Sequence, residues 1–343
     1  MQVEERKHQG INGEITEIFV TNDRGLRASF SNLGARINRL AVPTEQNTWD
    51  ELILGYDELS QEYQLHTYYG ATVGRVAGRL DKGVIALDGQ SIQLAQNNGD
   101  NHLHGGNRAM DLALWDYEVN EQADETSVIF TYTDVAGTED YPGNLQVKVS
   151  HTLTNQNEWL VRYEATSDAT TLWNPTNHVY FNLNGNNRET VHNHTLQLGV
   201  SCYLPLRPDS IPEGPLAEVT GTAFDFRQPK TIGEQLALGD AQVELMRGFD
   251  HPFILDEGAE VQAQLTLGNR RVTVATDCPS VVIYTHNWVP VPMQVWGNDV
   301  QFQAGITFET QVAPDAFNHP EYGQIVLAPN QLHTTETKFT IEW

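Results

Sequence analysis

Cysteine is nearly missing from this chain. Cys202 and Cys278 are the only two among 343 residues, far apart and without C-x-x-C spacing. A disulfide framework and a cysteine-built zinc knuckle are thereby excluded. Long apolar runs are missing as well: no stretch reaches 18 apolar residues, and the opening segment MQVEERKHQG carries no apolar leader-type region. No membrane interaction is expected, and a cytoplasmic location is. Basic residues are scarce, with Lys and Arg numbering 20 against 45 Asp and Glu, a formal charge of -25 and a pI near 4.7. Such a field repels nucleic acid and anionic lipid. It also disfavours phosphorylated or carboxylated substrates unless a local basic pocket overrides it. A neutral small molecule is the substrate class that remains.

What the chain has in abundance is alternation. Residues 146–154 (QVKVSHTLT) put Val147, Val149 and Leu153 on one face, and residues 159–165 (WLVRYEA) put Trp159, Val161 and Tyr163 on one face. With Asn155 to Glu158 between them, these runs predict a hairpin with a four-residue loop. Asp88-Gly89 inside residues 84–95 predicts another, and residues 128–133, 270–276 and 339–343 read as further strands. Helical signals are few. Thr231-Ile-Gly-Glu234 has the form of a capping box and predicts a short helix near 231–247, weakened by Gly233 and Gly239. Residues 204–216 and 289–298 read as long loops, and no repeat or linker divides the chain. The fold class expected is all-β, a large antiparallel β-sandwich with few short helices, forming one domain over residues 1–343.

Two strand patterns carry candidate chemistry. In residues 174–185 (NPTNHVYFNLNG), His178, Tyr180 and Asn182 share the polar face. A histidine titrates near pH 6.5 and so donates or accepts protons near neutrality. In residues 305–316 (GITFETQVAPDA), Thr307, Glu309 and Gln311 share a face. A carboxylate and an imidazole on one groove form an acid and base pair, although spacing alone does not make the two strands neighbours. Residues 101–106 (NHLHGG) put His102 and His104 on one strand face, an H-x-H arrangement, but only Asp111 follows as a nearby carboxylate. His192 and His194 have the same shortage, and no metal site is expected. Gly105 and Gly106 suggest close backbone approach beside a histidine. Arg75 and Arg79 in GRVAGRL are candidate hydroxyl donors, and Asp250, between aromatic residues in RGFDHPF, is a candidate acceptor.

The strings GRVAGRL, NHLHGG, NPTNHVYFNL, GFDHPF and GITFETQVAPDAFNHP occur in this order over residues 74–320. Together they resemble the aldose 1-epimerases (galactose mutarotases). The resemblance implies a galactose mutarotase-like supersandwich with an open sugar cleft, and an enzyme that interconverts the α and β anomers of free aldohexoses such as galactose and glucose. It implies Glu309 as the base on the C1 hydroxyl and His178 as the acid on the ring oxygen. Arg79, His104 and Asp250 would bind the substrate, with no cofactor and no metal. Two positions depart from the family pattern, Gly78 where Asn is common and Val282 where Gln is common, and they bear on the preferred sugar. A sugar-phosphate epimerase would want more cations than Arg75, Arg79, Lys82 and Arg108. A glycoside hydrolase would need a second carboxylate such as Asp250. A silent carbohydrate-binding protein would have no need of both Glu309 and His178. Oligomeric state is not encoded in any pattern found here.

Overall fold

Strong alternation becomes antiparallel pairing throughout. The computed structural model describes residues 1–343. A five-stranded meander comes first: Gln2–Gly10, Gly13–Thr21, Arg27–Ser31, Arg36–Pro43 and Trp49–Glu51. The largest sheet has nine strands, in the spatial order Asp116–Glu121, Glu125–Asp134, Leu145–Thr154, Glu158–Ser167, His333–Glu342, Arg270–Thr276, Ala263–Leu267, Thr195–Leu198, Lys230–Thr231. A third sheet of five strands runs Ala217–Glu218, Val200–Tyr203, Asp250–Leu255, Ser280–Tyr284, Glu309–Gln311. Phe30, Val149, Trp159, Phe253, Ile283 and Phe339 from these sheets belong to one cluster of 51 buried residues. All-β layers around a shared apolar core match the expected fold class.

Both predicted hairpins form. Val84–Leu87 pairs with Gln90–Gln93 through Asp88 and Gly89, both at positive φ (51° and 78°), the conformation a tight hairpin turn requires. Leu145–Thr154 pairs with Glu158–Ser167, and the loop is one residue shorter than the alternation suggested because Glu158 joins its strand opposite Thr340. The last strand is longer than residues 339–343, beginning at His333. Its early residues are polar and give no apolar alternation, yet they pair with Glu158–Ser167.

The helical region differs from expectation. Two short helices form, Ile232–Leu236 and Ala241–Met246. Thr231 makes no side-chain cap, whereas Asp240 accepts a hydrogen bond from the Gln242 amide and starts the second helix. Gly239 at φ 70° supplies the left-handed step between them.

The third sheet positions the site. Its alternation sends Phe253, Val281, Ile283 and Phe308 into the main core, and turns Asp250, Val282, Tyr284, Glu309 and Gln311 onto a cleft. Register places Glu309 directly opposite Val282, and Asp250 opposite Tyr284.

Candidate active site

The two polar strand faces found in the sequence meet. Tyr180 and Phe181 pair with Thr307 and Ile306, so the His178 and Glu309 segments are neighbours. His178 Nε2 lies 3.4 Å from Glu309 Oε1, and each residue is only 4% exposed. The His178 backbone is pinned from both sides: its N–H donates to the Ala71 carbonyl at 2.9 Å, and its carbonyl accepts from Gly70 at 3.0 Å. Tyr68 stacks on the imidazole at 5.6 Å, and His104 meets it edge-on at 5.2 Å. Besides the approach of His178, Glu309 accepts a side-chain hydrogen bond from the Thr307 hydroxyl at 3.2 Å. The polar face of the sequence pattern is therefore the buried wall of a cleft of about 520 Å³, not a solvated surface. That volume lies within the roughly 300–1,000 Å³ usual for small-molecule sites.

Burial dominates the electrostatics. It pushes the Glu309 carboxyl up to about 8, against the opposing pull of the Thr307 hydrogen bond and the Arg79 charge. The apolar Val282 directly across the strand offers that carboxylate no donor. Burial takes His178 down to about 4. Both groups thus favour their neutral forms, with one ionisable proton between them at neutrality. Asp250 is raised to about 6, chiefly by burial, with Arg79 and His178 working against the rise.

His104 sits at φ 53°, outside the strand His102–Leu103. The Gly78 amide donates to its Nδ1 at 3.2 Å, so the neutral ring carries its proton on Nε2. Burial, reinforced by repulsion from His178 and Arg79, holds His104 well below the usual imidazole range. Its neighbour Gly105 is required by close approach, since a Cβ there would overlap the Gly74 carbonyl, and one at Gly106 would overlap the Glu139 carboxylate. Arg79 donates from Nε to Asn98 Oδ1 at 2.9 Å and holds Nη1 3.9 Å from Asp250 Oδ2. Gly78 adopts φ 73°, and a Cβ there would press on the Pro314 ring, which accounts for glycine at this position.

All five expected site residues, Glu309, His178, Arg79, His104 and Asp250, line the one cleft. Other candidates go elsewhere. His102 is not on a shared face with His104: it donates from Nδ1 to the Ala95 carbonyl and accepts from the Tyr141 hydroxyl, each at 2.7 Å. Arg75 is 1% exposed and bound to Asp134. Asn182 turns from the cleft and donates to the Glu189 and Ala304 carbonyls. His194 accepts from the Leu183 amide at 2.7 Å. Among the cations weighed for a phosphate, Arg75, Lys82 and Arg108 lie off the cleft and Arg79 alone lines it.

Gln311 and His286 are among the cleft residues that the sequence patterns did not single out. Gln311 lines the cleft at 1% exposure with neither carboxamide atom partnered. It shared the face of Glu309, which was the available signal. His286, bound through Nε2 to the Tyr69 hydroxyl at 2.7 Å, also lines the cleft, and no periodicity marked it. Two groups of side chains bring metal-type donor atoms within 4.8 Å of one another: His104, His178 and Glu309, and Glu62, His66 and Asp111. In the second, Glu62 is already held by Arg36 and the Tyr56 hydroxyl. No helix is long and apolar enough to cross a membrane.

Comparison with known proteins bears on what such a cleft does. The family model described as aldose 1-epimerase matches residues 17–340. A galactose mutarotase from Bos taurus is 36% identical over 336 residues, covering 96% of this chain and 95% of that protein. An aldose 1-epimerase from Haemophilus influenzae is 35% identical over 331 residues, covering 94% of this chain and 95% of the relative. The crystal structure of a galactose 1-epimerase from Lactobacillus acidophilus NCFM superposes with a TM-score of 0.89 at 32% identity, covering 100% of this chain and 99% of that one.

Proposed function

The chain belongs to the aldose 1-epimerase family and is a mutarotase, and from that premise we propose that Glu309 and His178 are its base and acid. The observation that carries this reading is their 3.4 Å approach inside a buried cleft. Glu309 takes the proton of the C1 hydroxyl while His178 gives one to the ring oxygen. The C1–O5 bond breaks and an open-chain aldehyde forms. Rotation about C1–C2 presents the other face of the carbonyl. The new hydroxyl then attacks, returning its proton to His178 as Glu309 reprotonates O1.

The assigned step conserves the proton count of the pair. Ring opening needs one proton on the pair at the start, on His178, and leaves one at the end, on Glu309. Burial favours the second distribution, which is that of the open-chain intermediate. It is also the resting distribution of the pair, so ring opening starts from the minor form in which the proton has passed from Glu309 to His178. Arg79 and the Nε2 proton of His104 would donate to sugar oxygens, while Asp250 accepts from hydroxyls and Gln311 does either. The chemistry requires proton transfer and positioning but no metal or redox cofactor. We read residues 1–343 as one domain acting on neutral free aldoses, and place it in the cytoplasm, consistent with two free thiols.

Polarimetry on freshly dissolved α-D-galactose and α-D-glucose tests the pair. Glu309→Gln and His178→Asn should each slow anomer interconversion by roughly 10²-fold or more, with the fold intact by circular dichroism. Wild-type rates in either variant would remove that residue from its role. Wild-type activity should also persist in excess chelator. Because the pair holds one proton between about 4 and about 8, kcat/KM should fall below the first value and above the second.

A further inference from the structure

The cleft has two chemistries. Around the reacting pair its lining is polar, with His104, His178, Glu309 and Gln311. Its most exposed lining is apolar: Trp288 is 57% and Leu245 41% exposed. Leu206, Pro208 and Met246 line the same cavity. An indole left in water forfeits the burial that normally stabilises it. This indole is also displayed from a fixed base. The neighbouring Asn287 donates to the Phe249 carbonyl at 2.8 Å and accepts from the Thr285 hydroxyl at 2.7 Å. Pro290 and Pro292 follow shortly and stiffen the segment beyond.

Reaction chemistry decides which end of the substrate lies deep. C1 and the ring oxygen must meet Glu309 and His178, each 4% exposed. C4 lies across a pyranose ring from C1, so a group on O4 leads outward to the exposed lining. C2 adjoins C1, so a group on O2 is driven into the buried wall. We propose that Trp288 is the platform of a second saccharide subsite, which takes the non-reducing ring of a 4-O-linked disaccharide whose reducing ring occupies the cleft. The proposal rests on the epimerase reading above. A second pyranose suits the platform because its C–H face is apolar and packs on the indole, while its hydroxyl rim stays in water. A phosphate does not suit it: Arg207, next in sequence to the lining residues Leu206 and Pro208, is already engaged by Asp81 and Asp209.

The test is polarimetry on freshly dissolved galactose, maltose, cellobiose and sophorose, with wild type, Trp288→Ala and Trp288→Phe. Wild type should turn over galactose and both 4-linked disaccharides, and sophorose, which is 2-linked, at least about tenfold more slowly. Trp288→Ala should raise the ratio of KM for maltose to KM for galactose by about five- to tenfold, and Trp288→Phe by about twofold. An unchanged ratio in Trp288→Ala overturns the subsite, as does a wild type active on galactose but inactive on maltose and cellobiose. Sophorose turned over as fast as maltose overturns the orientation on which it depends. Inactivity on every sugar, galactose included, overturns the epimerase reading itself and the subsite with it.

Discussion

Arg75 and Arg79 stand in one short string, GRVAGRL, and have opposite fates. The Arg75 guanidinium donates from Nε to Asp134 at 2.6 Å, and from its other nitrogens to the Pro142, Asp134 and Gly143 carbonyls and the Thr171 hydroxyl. Nothing in its socket is left for a ligand. Arg79 has one hydrogen bond, to Asn98, and a looser approach to Asp250, with its side chain 21% exposed to the cleft. His102 and His104 repeat the contrast: the first has both nitrogens engaged, the second has one engaged and one free for a substrate. In these two pairs the buried polar group with a full set of partners belongs to the scaffold, and the one with an incomplete set belongs to the site.

That contrast is open to attack. Arg75→Met should destabilise the protein by about 3–5 kcal/mol, because it strands the Asp134 carboxylate, and adding Asp134→Leu should restore part of the loss in chemical denaturation. A small shift in the single variant would mean the socket is not structural. Arg79→Met should do the reverse, raising KM for galactose by about 10- to 100-fold with little change in melting temperature. It should also move the pH at which KM responds to Asp250 upward from about 6, since Arg79 opposes the rise of that carboxyl.

The smallest effect is on stability against pH. The folded state keeps the proton of Glu309 up to about 8, whereas an unfolded glutamate loses it near 4.5. Between those values the native state binds more protons, so this group costs stability as pH rises. Glu309→Gln removes the term. It should be more stable than wild type by at least about 1 kcal/mol at pH 8, with the advantage gone near pH 4. The scaffold histidines act with the opposite sign. His151, held near 4 by burial, refuses a proton that the unfolded chain accepts below 6.5. Melting temperature should therefore fall as pH drops from 6.5 toward 4.

Alternation revealed most of the scaffold and part of the site. It assigned His178 and Glu309 to polar strand faces; Glu309 opens the strand Glu309–Gln311, whereas His178 lies between the short strands Thr176–Asn177 and Tyr180–Phe181. Alternation does not separate a face turned to solvent from one turned to a buried cleft, because both demand polar residues at the same spacing. Asn182 shows the cost of that ambiguity: it shares the period of His178 yet turns from the cleft, donating to the Glu189 and Ala304 carbonyls and accepting from Asn184. His104 fails for another reason. Its left-handed φ breaks the strand period after Leu103, so counting by twos put it with His102. Thr231 fails because a capping motif says which side chain is able to cap, while Asp240 makes the cap actually formed. The contact between the His178 and Glu309 strands is long-range, and only the ordered family strings hinted at it.

The strand His333–Glu342 lies between Glu158–Ser167 and Arg270–Thr276 in the middle of the nine-stranded sheet. During synthesis this makes it a late keystone. A nascent chain that has reached Leu332 carries two unpaired strand borders, one on each half of the largest sheet. Bare borders of that kind recruit other strands. Closing the sheet joins residues as distant as Trp159 and Phe339, a slow kind of step. Until residues 333–342 pair, those two borders are the part of the sheet most open to intermolecular pairing.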